Sequence, residues 1–207
     1  MTTSHHVSLD PASKRILTQR LVLRPWTLTD AEPALAIYGA ADVTRWLSPA
    51  MTRVTDTGTM QNLLAQWIAD CDNRGLPLGR WVVEDAATGN LIGGVSLLPL
   101  PPGRHDLEIG WQIAPTAWGR GYGAEAGHAV AHQAFEGGVS ELFAVVRPGN
   151  KRGIATALRV GMEWVGETDK YYNMTLQVYR LTKADLDYPQ PGLTHPPNQS
   201  RAQSPDS

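Results

Sequence analysis

Cysteine is almost absent from this sequence: its 207 residues contain one, Cys71. An intramolecular disulfide is impossible and a thiolate metal cluster is excluded, which fits a reducing compartment. No uninterrupted apolar run approaches the roughly 18 residues of a membrane span. The first ten residues, MTTSHHVSLD, lack the basic and apolar segments of a signal peptide. These absences lead to the expectation of a cytoplasmic protein that does not engage a membrane. Charge of one sign is also missing: the formal net charge is −2. That argues against nucleic acid as a partner, because counterion release needs a basic excess or stripe. No internal repeat is visible. What remains, 42 % apolar and 18 % charged residues, suits one ordinary folded domain.

The stretch 188–207 carries Pro189, Pro191, Pro196, Pro197 and Pro205 among polar residues, with Leu193 its only aliphatic side chain beyond alanine. Such a segment buries too little surface to offset its ordering entropy and reads as a flexible tail. Residues 1–14 read as a flexible N-terminus, leaving a single domain over 15–187.

Within it, Arg20–Arg24 reads as a strand. Thr29 and Glu32 have capping-box spacing ahead of a helix ending near Gly39. A second helix, 57–74, places Leu63, Leu64, Trp67, Ile68 and Cys71 on one face, and Gly75 would stop it. Strands follow at 80–84 and 90–98, joined by a hairpin loop at 85–89. Another, Leu107–Ile113, alternates so that Leu107, Ile109, Trp111 and Ile113 oppose Glu108, Gly110 and Gln112. A helix at 123–135, a strand at 141–146, a helix at 150–160 ended by Gly161, and strands at 164–168 and 175–181 complete the unit. Local hairpins first and helix–strand alternation later imply an α/β (α+β) fold. Its centre is one mixed, mostly antiparallel sheet with helices on both faces.

The most informative stretch is Trp118-Gly119-Arg120-Gly121-Tyr122-Gly123, between a strand and a helix start. Glycines let a ligand approach the backbone closely, and amides at a helix N-terminus favour an anion. A phosphate or pyrophosphate cradle follows, with Arg120 as an available cation. A Walker A loop is excluded, since no Gly-Lys-Ser/Thr closes the run. A dinucleotide fingerprint is met only through Ala124, and hairpins precede the loop where a βαβ unit is required.

The run Ile113-Ala-Pro-Thr-Ala-Trp-Gly-Arg-Gly-Tyr-Gly-Ala-Glu125 resembles the pyrophosphate-binding motif of the GCN5-related N-acetyltransferases (GNAT). Trp118 stands where the ribosomal-protein alanine/serine N-acetyltransferase branch commonly varies. Asn150-Lys-Arg-Gly-Ile-Ala-Thr-Ala-Leu-Arg-Val-Gly-Met162 resembles a second family signature, and Arg20–Pro25 resembles that branch's opening strand. The likeness covers about 20–181. It implies a V-shaped opening between two neighbouring strands, entered by acetyl-CoA from one side and an amine from the other. By resemblance, Ile113 and its neighbours pair with the pantetheine arm. Trp118, Gly119, Arg120, Gly121, Tyr122, Gly123 and Ala124 hold the pyrophosphate, and Asn150 touches the cofactor near its thiol. No metal is implied.

An amine must be neutral to attack a thioester; lysine at ~10.4 needs more help than an α-amine at ~8. Glu108 is the candidate base. The amide of Ile113 or Ala114 would meet the oxyanion. Where many family members carry a tyrosine that protonates the leaving thiol, this chain has Ala157, and Gly153 replaces the usual serine or alanine. Tyr171, Tyr172 or water are substitutes, or none is needed. Trp46 is a candidate for lining the acceptor site. His128 and His132 have zincin spacing but lack the following glutamate and a third ligand, so they read as exposed helix residues. The leading expectation is an acetyl-CoA-dependent N-acetyltransferase acting on a small-molecule amine or a protein N-terminus. The alternatives are a non-catalytic acyl-CoA-binding module and, from the glycine loop alone, a nucleotide-dependent oxidoreductase. A homodimer is the default assembly on general grounds.

Overall fold

The computed structural model describes residues 7–10, 13–47, 51–73, 77–103 and 105–187. The strands are β1 (Ser8–Asp10), β2 (Arg15–Leu17), β3 (Leu21–Pro25), β4 (Gly79–Asp85), β5 (Leu91–Pro99), β6 (Leu107–Ile113), β7 (Glu141–Val146), β8 (Glu163–Thr168) and β9 (Leu176–Thr182). They form one sheet in the order β1-β2-β3-β4-β5-β6-β7-β9-β8. Every pairing is antiparallel except that of β6 with β7.

The helices are α1 (Ala31–Tyr38), α2 (Ala41–Thr44), α3 (Thr57–Asp72), α4 (Tyr122–Glu136), α5 (Lys151–Val160) and α6 (Lys183–Asp187). On one face of the sheet α1 and α3 bury Ala34, Ile37, Met60 and Leu64 against Val82 and Trp26. On the other, α4 and α5 bury Ala126, Val130, Ala157 and Val160 against Leu23, Val83, Ile109 and Leu142. The alternation of β6 thus divides the two layers, as its period of two requires. Both helix layers meet expectation, as do the bounds of β6 and β7.

Three local expectations are corrected. The reciprocal cap at the first helix is built by Thr27 and Asp30, not Thr29 and Glu32, and it opens a 3-10 turn at Leu28–Asp30. Asp30 is fixed there because it also receives two hydrogen bonds from the Arg24 guanidinium, each 2.8 Å long. Helix α3 ends at Asp72 with Asn73 as its cap, and the expected stop at Gly75 lies outside the described residues. The sheet also starts earlier than residue 15, because Ser8–Asp10 pairs with Arg15–Leu17 although all three of its residues are exposed. The stretch 188–207 lies outside the described residues.

Candidate active site

Strands β6 and β7 run side by side but pair at a single position, Glu108 with Phe143. Beyond that point they diverge, and the wedge between them is lined from above by α4 and α5. The resulting cleft, about 240 Å³, is bordered by Trp111, Ile113, Gly119, Gly121, Gly123 and Asn150 among others.

The glycine run fits the mouth of this cleft for separable reasons. Gly119 and Gly121 have φ of +78° and +79°, a left-handed conformation that L side chains rarely adopt. A Cβ on Gly119 would meet nothing within 4 Å, so its approach side is open. Gly123 has no such backbone demand, and a Cβ there would sit 3.4 Å from Ile113 and Thr156, an ordinary contact distance. Helix α4 begins at Tyr122 with no side-chain cap. Its first internal bond comes from Glu125, so the amides of Tyr122, Gly123 and Ala124 have no protein acceptor among the described residues. Three unsatisfied donors at the positive end of a 15-residue helix, with Arg152 and Arg159 on the same cleft, form an anion cradle.

Two residues that the sequence did not flag hold this cradle. Arg20 donates from Nη1 to the Arg120 carbonyl at 3.0 Å and from Nε to Glu125 at 2.7 Å, and its guanidinium lies 4.8 Å from the Tyr122 ring centre. Glu125 accepts further bonds from the Arg20 amide and the Thr18 hydroxyl. More than 100 residues separate the partners, and no local pattern signals such a pair. Trp118 turns its indole N–H back to the Ile113 carbonyl at 2.7 Å, under the Arg152 guanidinium at 3.8 Å.

At the far side of the cleft Asn150 caps α5, accepting from the Gly153 amide at 3.0 Å. This explains the glycine at 153: a Cβ would come within 2.6 Å of Asn150 Nδ2 and 3.0 Å of Val146. Ala157 is fully buried and does not border the cleft. Trp46 does border it, alongside Asn150 and Trp118.

The two amides expected to meet the oxyanion separate here. Ala114 donates to the Ile92 carbonyl at 2.9 Å and is therefore spent within the sheet. That bond makes Ala114 and Ile92 a hydrogen-bonded pair, so Ile113 opposite Gly93 is a non-bonded one. The Ile113 N–H consequently points to the other edge of β6, into the wedge.

Glu108 stands at the apex of the wedge, on the α1–α3 side of the sheet. Tyr172, in the loop between β8 and β9, donates to its carboxylate at 2.7 Å. Burial pushes the Glu108 carboxyl up to about 7, against the opposing pull of the Tyr172 hydroxyl and the Arg80 charge. The Tyr172 phenol is itself raised well above its ordinary value by burial and by the Glu108 charge. The neighbouring Tyr171 donates to Asp106 at 2.7 Å, where Lys170 also binds, and so fastens this loop to the segment preceding β6. Among the described residues no group of three His, Cys, Asp or Glu side chains is arranged to hold a metal ion. No helix among the described residues is long and apolar enough to cross a membrane.

An open, mostly antiparallel sheet, splayed between two parallel strands over an anion cradle, defines a GNAT-type fold and cleft. The chain belongs to the acetyltransferase (GNAT) family, whose domain model matches residues 20–163. The uncharacterized N-acetyltransferase YoaA of Bacillus subtilis is 30% identical over 156 residues, which is 74% of this chain and 85% of that one. The uncharacterized protein YkkB of the same organism is 31% identical over 110 residues, 52% of this chain and 63% of its own length. Among solved structures, a GNAT-family acetyltransferase from Bacillus anthracis superposes with a TM-score of 0.68 at 21% identity, covering 81% of this chain and 98% of that one. The microcin C7 self-immunity acetyltransferase MccE, determined with acetyl-CoA and AMP, gives 0.65 at 18% identity, covering 79% and 93%. Acetyl transfer is the chemistry of this family.

Proposed function

We propose that the chain transfers an acetyl group from acetyl-CoA to a primary amine by direct attack in a ternary complex. What supports this reading is an anion cradle bordering the cleft beside β6 together with, at the single β6–β7 pairing, a carboxylate with a proton affinity near neutrality, although Glu108 does not itself border that cleft. When bound, acetyl-CoA supplies the activated acetyl group. The amides of Tyr122, Gly123 and Ala124 suit its pyrophosphate, and the Ile113 N–H suits the pantetheine arm or the developing oxyanion.

Glu108 takes a proton from the incoming ammonium. A carboxylate near 7 is matched to an α-amine near ~8 far better than one at the ordinary ~4.3. Neither tyrosine serves as acid for the leaving thiol. A phenol held above its ordinary ~10 would have to give its proton uphill to a thiolate of about 8.5. As the C–S bond breaks the thiol therefore departs as thiolate, and the second proton released by the attacking nitrogen as it becomes an amide neutralises that thiolate, which removes the difficulty raised by Ala157. The Glu108–Tyr172 pair also argues against a purely non-catalytic module, since acyl-CoA binding alone has no use for it.

At the level of acceptor the candidates are a small-molecule amine or a protein N-terminus, the latter suggested by the likeness to the ribosomal-protein branch. The test is acetylation of an amine panel read by mass spectrometry, with wild type and Glu108→Gln. A loss of about 100-fold in kcat/KM in the variant, with acetyl-CoA binding retained, is expected. Acetyl-CoA binding without turnover of any amine would overturn the reading.

A further inference from the structure

Where β3 ends and β4 begins, beside the C-terminal end of α3, lies a second cavity of about 120 Å³. It shares no lining residue with the cleft described above. Its inner end is aromatic. Trp26 and Trp81 are more than nine-tenths buried, and Trp67 meets Trp26 at 63° with 5.8 Å between ring centres. Gly79 makes this arrangement possible, since a Cβ there would come within 3.1 Å of the Trp81 ring. Lys14 and Asp72 are exposed and mark the mouth.

The polar groups on this lining are donors without acceptors. Arg80 is half-buried in the wall, with its guanidinium stacked 4.9 Å from the Trp67 ring centre. Stacking occupies the face of the guanidinium and leaves its N–H donors, which lie in its plane, unused. Among the described residues neither Arg80 nor Lys14 makes a hydrogen bond or ion pair, and the indole N–H groups of Trp26 and Trp81 have no acceptor. Buried donors left in this way are costly, and a half-buried cation is more so.

Size and charge together select a ligand. An apolar cavity of about 150 Å³ holds one benzene molecule, so this one, with an exposed mouth, takes a single ring and a short substituent. Indole walls set at an angle offer that ring both stacked and edge-on contact. The substituent must accept hydrogen bonds, and a carboxylate matches the planar guanidinium fork in bidentate fashion. Lys14 and Arg80 outweigh Asp72, the one carboxylate among the described lining residues, by a single charge. One negative charge therefore balances the cavity, whereas a second would be in excess and would face Asp72.

We infer that this cavity is a binding site for a small aromatic monocarboxylate, its ring against Trp26, Trp67 and Trp81 and its carboxylate on the Arg80 guanidinium. The site is separate from the acetyl-transfer cleft, so its ligand and CoA bind together.

The test titrates phenylacetate, phenylacetamide, acetate and phenyl phosphate by calorimetry into wild type, Arg80→Gln and Arg80→Lys, with and without saturating CoA. Phenylacetate should bind wild type at one site with a dissociation constant of about 1 mM or tighter, unchanged by CoA. The amide, which lacks the charge, acetate, which lacks the ring, and the phosphate, which carries a second charge, should each bind at least tenfold more weakly. Arg80→Gln should reduce phenylacetate to the level of phenylacetamide, and Arg80→Lys should recover part of the loss. Both variants should bind acetyl-CoA as wild type does, which shows that they fold. Absence of phenylacetate binding to wild type, its displacement by CoA, equal or tighter binding of any of the other three probes, or undiminished affinity in Arg80→Gln would overturn the inference. The wild-type comparisons decide even where a variant does not fold.

Discussion

At the scale of single residues, the proposed chemistry depends on one carboxylate whose surroundings disagree about its charge. Burial favours the protonated form of Glu108, while the Tyr172 hydroxyl and Arg80 favour the ionised one, and the balance falls at about 7. The base must be ionised to accept a proton, so kcat/KM should fall as pH drops below about 7. Tyr172→Phe removes a group that stabilises the carboxylate, and the carboxyl therefore rises further. The midpoint of the pH–rate profile should move upward, to above 7, with the high-pH plateau reduced less than the rate at pH 6. A profile displaced downward, or unchanged, would mean that Tyr172 does not act on Glu108. Glu108 stood out as a candidate in the sequence because its strand precedes the glycine loop. Its partner did not: Tyr172 was one of two tyrosines that sequence left equivalent, and only the loop fold, with Tyr171 fixed on Asp106, separates them.

At the scale of elements, most strands and helices could be read from periodicity, and the glycine run from its composition. Failures came where a distant charge decided a local structure. Asp30 rather than Glu32 completes the first cap because Arg24, on β3, holds it in place. The glycine turn likewise depends on the Arg20–Glu125 pair, which ties the turn before β3 to the first turn of α4. Glu125→Ala should release the Arg20 guanidinium from the Arg120 carbonyl and loosen the cradle. Acetyl-CoA should then bind about tenfold more weakly by calorimetry, roughly 1.4 kcal/mol, with kcat at saturation nearly unchanged. Undiminished affinity would show that the glycines hold the turn unaided. Motif matching reaches both segments, since Arg20 and Glu125 stand at the ends of stretches that resemble the family, but it does not pair them across 105 residues.

At the scale of the whole molecule, the proposed function rests on a defect in an otherwise continuous sheet. Among the described residues eight strand junctions join nine strands, and only the β6–β7 junction is parallel and reduced to one pairing. Parallel neighbours need a long crossover, and the chain supplies it through the glycine turn and α4, so the cradle and the wedge arise from the same connection. The sequence foretold the crossover from the order of its elements, but not where β6 and β7 cease to pair. There α4 packs on β6 while α5 packs on β7. The account's central claim is that this wedge takes acetyl-CoA through the amides that begin α4. The direct measurement is a calorimetric titration with acetyl-CoA, with NAD and ATP as controls, on the wild type and on Gly121→Trp, which puts a bulky side chain beside Arg20 at a φ of +79° and so disturbs the turn that presents those amides. The account predicts micromolar binding of acetyl-CoA, much weaker binding of the controls, and loss of acetyl-CoA binding in the folded variant. No binding to the folded wild type, or binding that survives in Gly121→Trp, would contradict it.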